Sequence, residues 1–326
     1  MDISLVIPCY NSSGTIRSVL EEFKSAMKRR PALQYEIILV NDHSTDNTWC
    51  VLKELADENQ EVICIDFAKN FGQPSALLAG FAVAQGDYIL TSDDDGQCPV
   101  GEVFHFWEEL QKGYDVVCAK YTARHPASGF RKIGTYINEW MARAILKKPD
   151  GLALASFFMA KKFVVEKMLE YKNAYPYIAG LLLRTTTNIG NITLVQRART
   201  SGESGYNYKK LLKLWLNGFT AFSVIPLRVA SFLGIILSLF GALAIVITII
   251  NKMLHPLIPT GWSSLFATLL LIGGVILLML GMIGEYIGRI YLCINQSPQY
   301  VIREVYSKRD KELSEDLQND TKWRCS

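Results

Sequence analysis

Residues 229–250 and 263–284 carry no charged side chain, and each stretch is about 22 residues long. A helix of that length crosses a hydrocarbon core of ~30 Å. Soluble proteins do bury apolar hairpins, but seldom with both arms so long, so the pattern predicts two membrane-spanning helices. They account for much of a composition that is 50% hydrophobic. The link 251–262 holds Pro256, Pro259 and Gly261, which force a turn, and Trp262, which suits a membrane interface.

Flanking charge sets the expected orientation. Arg228 precedes the first stretch, and Arg289, Arg303, Lys308 and Arg309 follow the second, whereas the link offers Lys252 and neutral His255. Basic residues favour the cytoplasmic side, which predicts cytosolic termini and an outward link in an inner (cytoplasmic) membrane protein. No secretory leader is expected, because Met1-Asp2 runs directly into a short apolar segment without a basic region or cleavage site. Seven scattered cysteines show no metal-ligand spacing and suit a reducing cytosol. A net charge of +3 is too slight to imply a nucleic-acid partner and is compatible with an anionic membrane surface.

Up to about residue 120, short apolar runs alternate with amphipathic patterns. Residues 3–7, 35–40, 62–66, 87–91 and 115–119 read as strands; 15–27, 48–58, 74–84 and 100–111 carry helical spacing. Such alternation predicts an α/β domain with a mostly parallel, Rossmann-like sheet between helices, and a ligand site beyond the carboxyl ends of its strands. Polar clusters stand at three of those ends: Pro8-Cys9-Tyr10-Asn11, Asn41-Asp42-His43-Ser44, and Ser92 to Pro99. Singly, each would also suit a turn or helix cap, with Asn11 or Ser12 and Asp46 as N-caps. No GxGxxG follows the first strand, which argues against a dinucleotide oxidoreductase.

The third cluster reads Ser-Asp-Asp-Asp-Gly-Gln-Cys-Pro. Adjacent carboxylates repel one another, and a divalent cation relieves the repulsion. Mg²⁺ and Mn²⁺ suit one or two carboxylates together with substrate phosphates. In an extended segment Asp93, Asp95 and Gln97 share one face and Asp94 the other, so the first three are the expected metal ligands. An acidic turn capping the next helix is the alternative.

Together these segments resemble the family 2 glycosyltransferases of GT-A fold, and in particular the polyisoprenyl-phosphate glycosyltransferases, such as dolichol-phosphate mannose synthase and bacterial lipid-linked glucosyl transferases. The matching residues are Val6 to Asn11, Val40 to Asp46, Asn70 to Gln73 with Ala76, Ala79 and Gly80, and Gly86 to Tyr88 leading into Asp93 to Pro99. Arg199 to Ser204, Phe222-Ser223, Pro226 to Arg228 and Glu285 to Tyr291 follow. The resemblance covers nearly all of residues 1–306. It departs at Asn41, where the family usually has aspartate, and at Leu154 to Phe157, where the family often has Gly-Asp-Phe-Arg.

The resemblance implies transfer of a sugar from a nucleotide-sugar donor, with uridine the expected base, to a polyprenyl phosphate such as undecaprenyl phosphate. It also implies inversion at the anomeric carbon. Pro8, Tyr10, Asn11, Asp42 and Asp93 would hold the nucleotide; Asp93, Asp95 and Arg199 would be the catalytic set. An acceptor phosphate is already ionised and needs cationic positioning more than a base; Lys120, Arg124, Arg131 and Arg199 are candidates, with Ser204 in the same acceptor-side segment.

Residues 206–225 place Lys209, Lys210 and Lys213 beside an apolar stripe of Leu212, Trp215, Leu216 and Phe219, which predicts an interfacial amphipathic helix or, alternatively, one packed on the soluble domain. The expected organisation is a GT-A domain over 1–205, a juxtamembrane helix over 206–228, the hairpin over 229–291 and a cytosolic tail over 292–326. Glu285 and Arg289 are spaced as a structural i,i+4 pair. Gly273, Gly274, Gly281 and Gly284 would admit close helix approach in a homo-oligomer. Two other functions stay open: a glycosyltransferase with a glycan acceptor, which usually needs more spans, and a catalytically silent scaffold in an envelope-glycan pathway.

Overall fold

The computed structural model describes residues 1–122, 148–172, 176–195, 197, 261–294 and 298–308, and positions 232, 234–236, 239–241, 243, 246–247, 250 and 253–254. The chain divides into two compact units: Met1–Asn207 with Ser297–Ser326, and Tyr208–Gln296.

The first unit is built on an eight-stranded sheet. Its strands are β1 (Ile3–Cys9), β2 (Tyr35–Asn41), β3 (Val62–Phe67), β4 (Tyr88–Thr91), β5 (Val116–Thr122), β6 (Phe158–Lys161), β7 (Ile189–Val195) and β8 (Ile302–Ser307), in the order β7-β5-β6-β4-β1-β2-β3-β8. β4, β1, β2 and β3 run parallel, as the strand–helix alternation requires. β6 lies antiparallel between β4 and β5, so β5 does not adjoin β4. β8 closes the far edge antiparallel to β3. Its residues were expected in a tail, yet their backbone completes the sheet of the first unit.

The helices α1 (Ile16–Met27), α2 (Thr48–Glu58) and α4 (Val103–Gln111) cover one face, and α3 (Gln73–Val83) packs on the other, where α5 (Lys162–Leu169) joins it. Alternate residues of β1 divide between the two cores: Ile3, Leu5, Ile7 and Cys9 meet α1 and α2, while Val6 faces α3. Gly80 makes the second contact close. A Cβ there would collide with Val6 and stand 3.4 Å from Val40 Cγ2. The expected helix 100–111 opens as a 3₁₀ turn, Val100–Glu102, before α4. A further helix, α6 (Ile178–Thr185), precedes β7.

The second unit contains α7 (Trp262–Ile294), whose segment Leu271–Gly288 has mean hydropathy 1.9. Among the described residues it is the one helix long and apolar enough to cross a membrane. The first expected span is described only in part, and helical wherever described. A Cβ on Gly234 would lie 2.7 Å from Met279 Cε, so the two arms touch there. A Cβ added at Gly273, Gly274, Gly281 or Gly284 would meet nothing beyond its own helix backbone within 4 Å. The expected interfacial helix lies outside the described residues, as do the side chains of Glu285 and Arg289.

Candidate active site

Parallel register brings the carboxyl ends of β1, β2 and β4 to one edge, and side chains tie their loops together. Asn11 has φ 55°, a left-handed conformation that asparagine tolerates. Its Oδ1 accepts the Thr45 N–H at 2.9 Å, and its own N–H donates to Ser44 Oγ at 3.0 Å. The asparagine thus joins two loops instead of capping α1, whose first turn bonds to the Ser12 carbonyl. Asp46 does serve the start of α2, accepting the Thr48 N–H at 3.0 Å.

Asp42 is buried, and its carboxylate grips backbone. Oδ1 accepts the Phe71 N–H at 2.7 Å and Oδ2 the Gly72 N–H at 2.8 Å. Gly72 has φ 89°, which a side-chain-bearing residue adopts only under strain. Burial pushes the Asp42 pKa upward against the lowering effect of the two N–H donors. This carboxylate therefore shapes the entry to α3, and any nucleoside contact it makes is additional to that work. Pro8 is buried in β1, whereas Tyr10 is 50% exposed at the rim.

The acidic cluster bends at residues 94–96 instead of running extended, so strand alternation does not set where its side chains point. Asp93 Oδ1 accepts from Gln73 Nε2 at 2.7 Å; Oδ2 accepts from Ser156 Oγ at 2.9 Å and from Cys98 Sγ at 3.7 Å. Tyr121 Oη stands 3.4 Å from the same sulfur. Asp94 turns away to accept the Tyr10 N–H at 2.9 Å, and its carbonyl accepts from Thr15 Oγ1 at 2.7 Å. Asp95 Oδ1 accepts the Gln97 N–H at 3.0 Å. Burial, with help from the Asp95 charge, raises the pKa of Asp93. Burial likewise lifts Asp94 to about 6.

Among the described residues no three acidic, histidine or cysteine side chains form a self-sufficient metal cage. The set Asp93, Asp95 and Gln97 is nevertheless all-oxygen, and the Asp95 charge helps to raise the pKa of Asp93. Both properties fit a hard divalent cation that takes its other ligands from substrate phosphates.

Lys120 is exposed on β5, on the strand face opposite Tyr121, whose hydroxyl meets Cys98. Arg124, Arg131, Arg199 and Ser204 lie outside the described residues. Nearby, the Arg197 N–H donates to the Gln97 carbonyl at 3.4 Å, which draws the chain after β7 to the acidic loop. Gln73, Asp94, Cys98, Tyr121 and Ser156 were not expected as site residues. Gln73 stood in a matching segment, and Ser156 in a departing one, so both carried a signal of position without one of partner.

A family model described as glycosyl transferase family 2 matches residues 4–169, and one described as the GtrB C-terminal hairpin matches 225–290. The uncharacterized glycosyltransferase YkcC of Bacillus subtilis is 34% identical, with 96% of this chain and 97% of the relative covered. The undecaprenyl-phosphate 4-deoxy-4-formamido-L-arabinose transferase of Proteus mirabilis is 32% identical over 96% of this chain and 97% of its own. The bactoprenol glucosyl transferase of Shigella phage SfII is 32% identical, covering 93% and 98%. Among solved structures, glucosyl-3-phosphoglycerate synthase from Mycobacterium tuberculosis, crystallised with Mn²⁺, UDP and phosphoglyceric acid, superposes with a TM-score of 0.51. At 18% identity over 67% of this chain and 76% of that one, this likeness concerns the fold.

Proposed function

The chain belongs to glycosyl transferase family 2, and we propose that it transfers a sugar from a nucleoside-diphosphate donor to the phosphate of a long polyprenol at the cytosolic face of a membrane. The observation that carries this reading is the meeting at Asp93 of the loop after β4, the start of α3 and the segment before β6, with Gln73 on one oxygen and Ser156 on the other. The acceptor is supported by relatives named for undecaprenyl phosphate and bactoprenol, and by the apolar helix α7.

Tyr10 and Asn11 offer the base and ribose an exposed side chain and a fixed backbone turn, and Asp42 holds the adjoining entry to α3. The expected donor is a UDP-sugar. Asp93, Asp95 and Gln97 would hold Mg²⁺ or Mn²⁺, which supplies Lewis-acid stabilisation of the charge developing on the departing nucleoside diphosphate. The acceptor phosphate oxygen attacks the anomeric carbon, the glycosidic C–O bond to the diphosphate breaks, and the configuration inverts. Arg199, with Arg124, Arg131 and Ser204, is assigned to the acceptor phosphate, because two anions approach only if cationic groups offset their repulsion; Lys120, on the face of β5 opposite Tyr121, is left out of that set. A lipid phosphate reaches such a site without its tail leaving the bilayer. The unobstructed glycines of α7 suit association of copies within the membrane.

The test uses purified protein in detergent, undecaprenyl phosphate and labelled nucleotide sugars, with Asp95→Ala in parallel. Divalent-dependent passage of label into organic extract, lost in the variant, supports the reading. No metal-dependent binding of any nucleotide would favour a scaffold instead.

A further inference from the structure

Strand β8 brings Arg303 beside a carboxylate that solvent cannot reach. Asp66, at the end of β3, is 3% exposed. Its Oδ2 accepts from Arg303 Nη1 at 3.3 Å, and its Oδ1 from Asn41 Nδ2 at 2.6 Å. Arg303 Nη2 donates to the Ala68 carbonyl at 3.0 Å, so the guanidinium is held at two points. Buried charge is tolerated only with such partners.

The bonds continue toward the donor loops. Asn41 Oδ1 accepts from Ser44 N at 3.2 Å and Ser44 Oγ at 2.6 Å, and Ser44 Oγ accepts the Asn11 N–H at 3.0 Å. Every link has a fixed sense. The amide of Asn41 must turn its NH₂ to Asp66 and its oxygen to Ser44; reversed, it would set NH₂ against the Ser44 N–H. An aspartate at 41 would place two buried carboxylates in contact, which gives the departure at this position a physical reason.

We propose that Arg303 is a positioning residue for the nucleoside end of the donor, acting through Asp66 and Asn41 on Ser44 and Asn11. By holding the Asp66 carboxylate in place through Oδ2, it orients Oδ1 toward the Asn41 amide and, through that amide, sets the β1 loop. The strand that follows the apolar hairpin is therefore part of the donor site. This inference rests on the donor reading above.

The experiment titrates UDP, GDP and CDP with Mn²⁺ into the full chain in detergent, by calorimetry. Wild type is compared with Arg303→Ala, Arg303→Lys, Asn41→Ala and the Arg303→Ala/Asn41→Ala double variant, and kinetics are measured at saturating donor. Arg303→Ala is expected to weaken the nucleotide bound by wild type about tenfold and to leave kcat within about twofold. Arg303→Lys should recover part of the loss, and the double variant should be little worse than Asn41→Ala alone, because the two share one path. If Arg303→Ala fails to fold, Arg303→Gln carries the same comparison. Unchanged binding in the folded variant, or penalties that simply add, would overturn the inference. Wild type that binds none of the three nucleotides would overturn the donor reading and this inference together.

Discussion

Ser156 donates its hydroxyl to Asp93 Oδ2 across 2.9 Å, so the segment that departs from the family pattern closes on the acidic cluster. Phe157, the next residue, is buried against Phe106 with ring centroids 4.6 Å apart, which anchors the serine's backbone. Removing the hydroxyl leaves Asp93 with Gln73 and Cys98. Ser156→Ala should raise the Mn²⁺ concentration needed for half-maximal activation by about threefold to tenfold, in line with the net contribution of about 0.5–1.5 kcal/mol from one typical hydrogen bond. Ser156→Thr should retain most of the affinity. A metal titration of activity reads both, and an unchanged midpoint in the alanine variant would contradict the role.

Asp42 offers a separate test, because its partners are backbone. Asp42→Ala strips the acceptor from two N–H groups at the entry to α3, where each unmet donor costs about 1–3 kcal/mol when shielded from water. Thermal unfolding should show a stability loss of about 2–4 kcal/mol, with weaker nucleotide binding. A variant as stable as wild type would show that water replaces the carboxylate at no cost.

Stability should also depend on pH through Asp94. Burial lifts its pKa to about 6 from an ordinary 3.8. Between those values the folded protein holds a proton that the unfolded chain has released, so stability from this group falls as pH rises through the window and is lowest above it. Asp94→Asn keeps an oxygen for the Tyr10 N–H and removes the charge. In EDTA the variant should unfold above wild type by about 2–6 °C near pH 7.5, and the gain should vanish near pH 4. An equal gain at both values would place its cause elsewhere.

Where local pattern and tertiary environment agree, the sequence was legible. The helix expected at 48–58 is α2 as observed, and the first four strands fall where apolar runs announced them. The misses have physical causes. β6 is only four residues long and runs directly into α5, so no period could develop. β8 is mostly exposed and takes its conformation from pairing with β3, far away in the chain. The site divides in the same way. Carboxylates at strand ends were visible as a charge cluster, but Asp42's grip on Phe71 and Gly72, and Arg303's on Asp66, depend on loops that only the folded sheet brings together. Asn41, legible only as a departure, acquires its reason from Asp66.

Membrane orientation can be tested with a native thiol. Cys50 is exposed in the first unit. In intact cells an impermeant maleimide should label a Thr260→Cys link and leave Cys50 untouched until lysis. Labelling of Cys50 in sealed cells would reverse the expected topology.

The most direct measurement is the mass of the lipid product formed from undecaprenyl phosphate and the nucleotide sugar that supports turnover. Transfer to the acceptor phosphate yields a lipid heavier by one sugar residue, retaining a single phosphate, with one nucleoside diphosphate released per product. A lipid diphosphate-sugar, sugar appearing only in a glycan, or nucleotide released without any lipid product would contradict the proposed reaction.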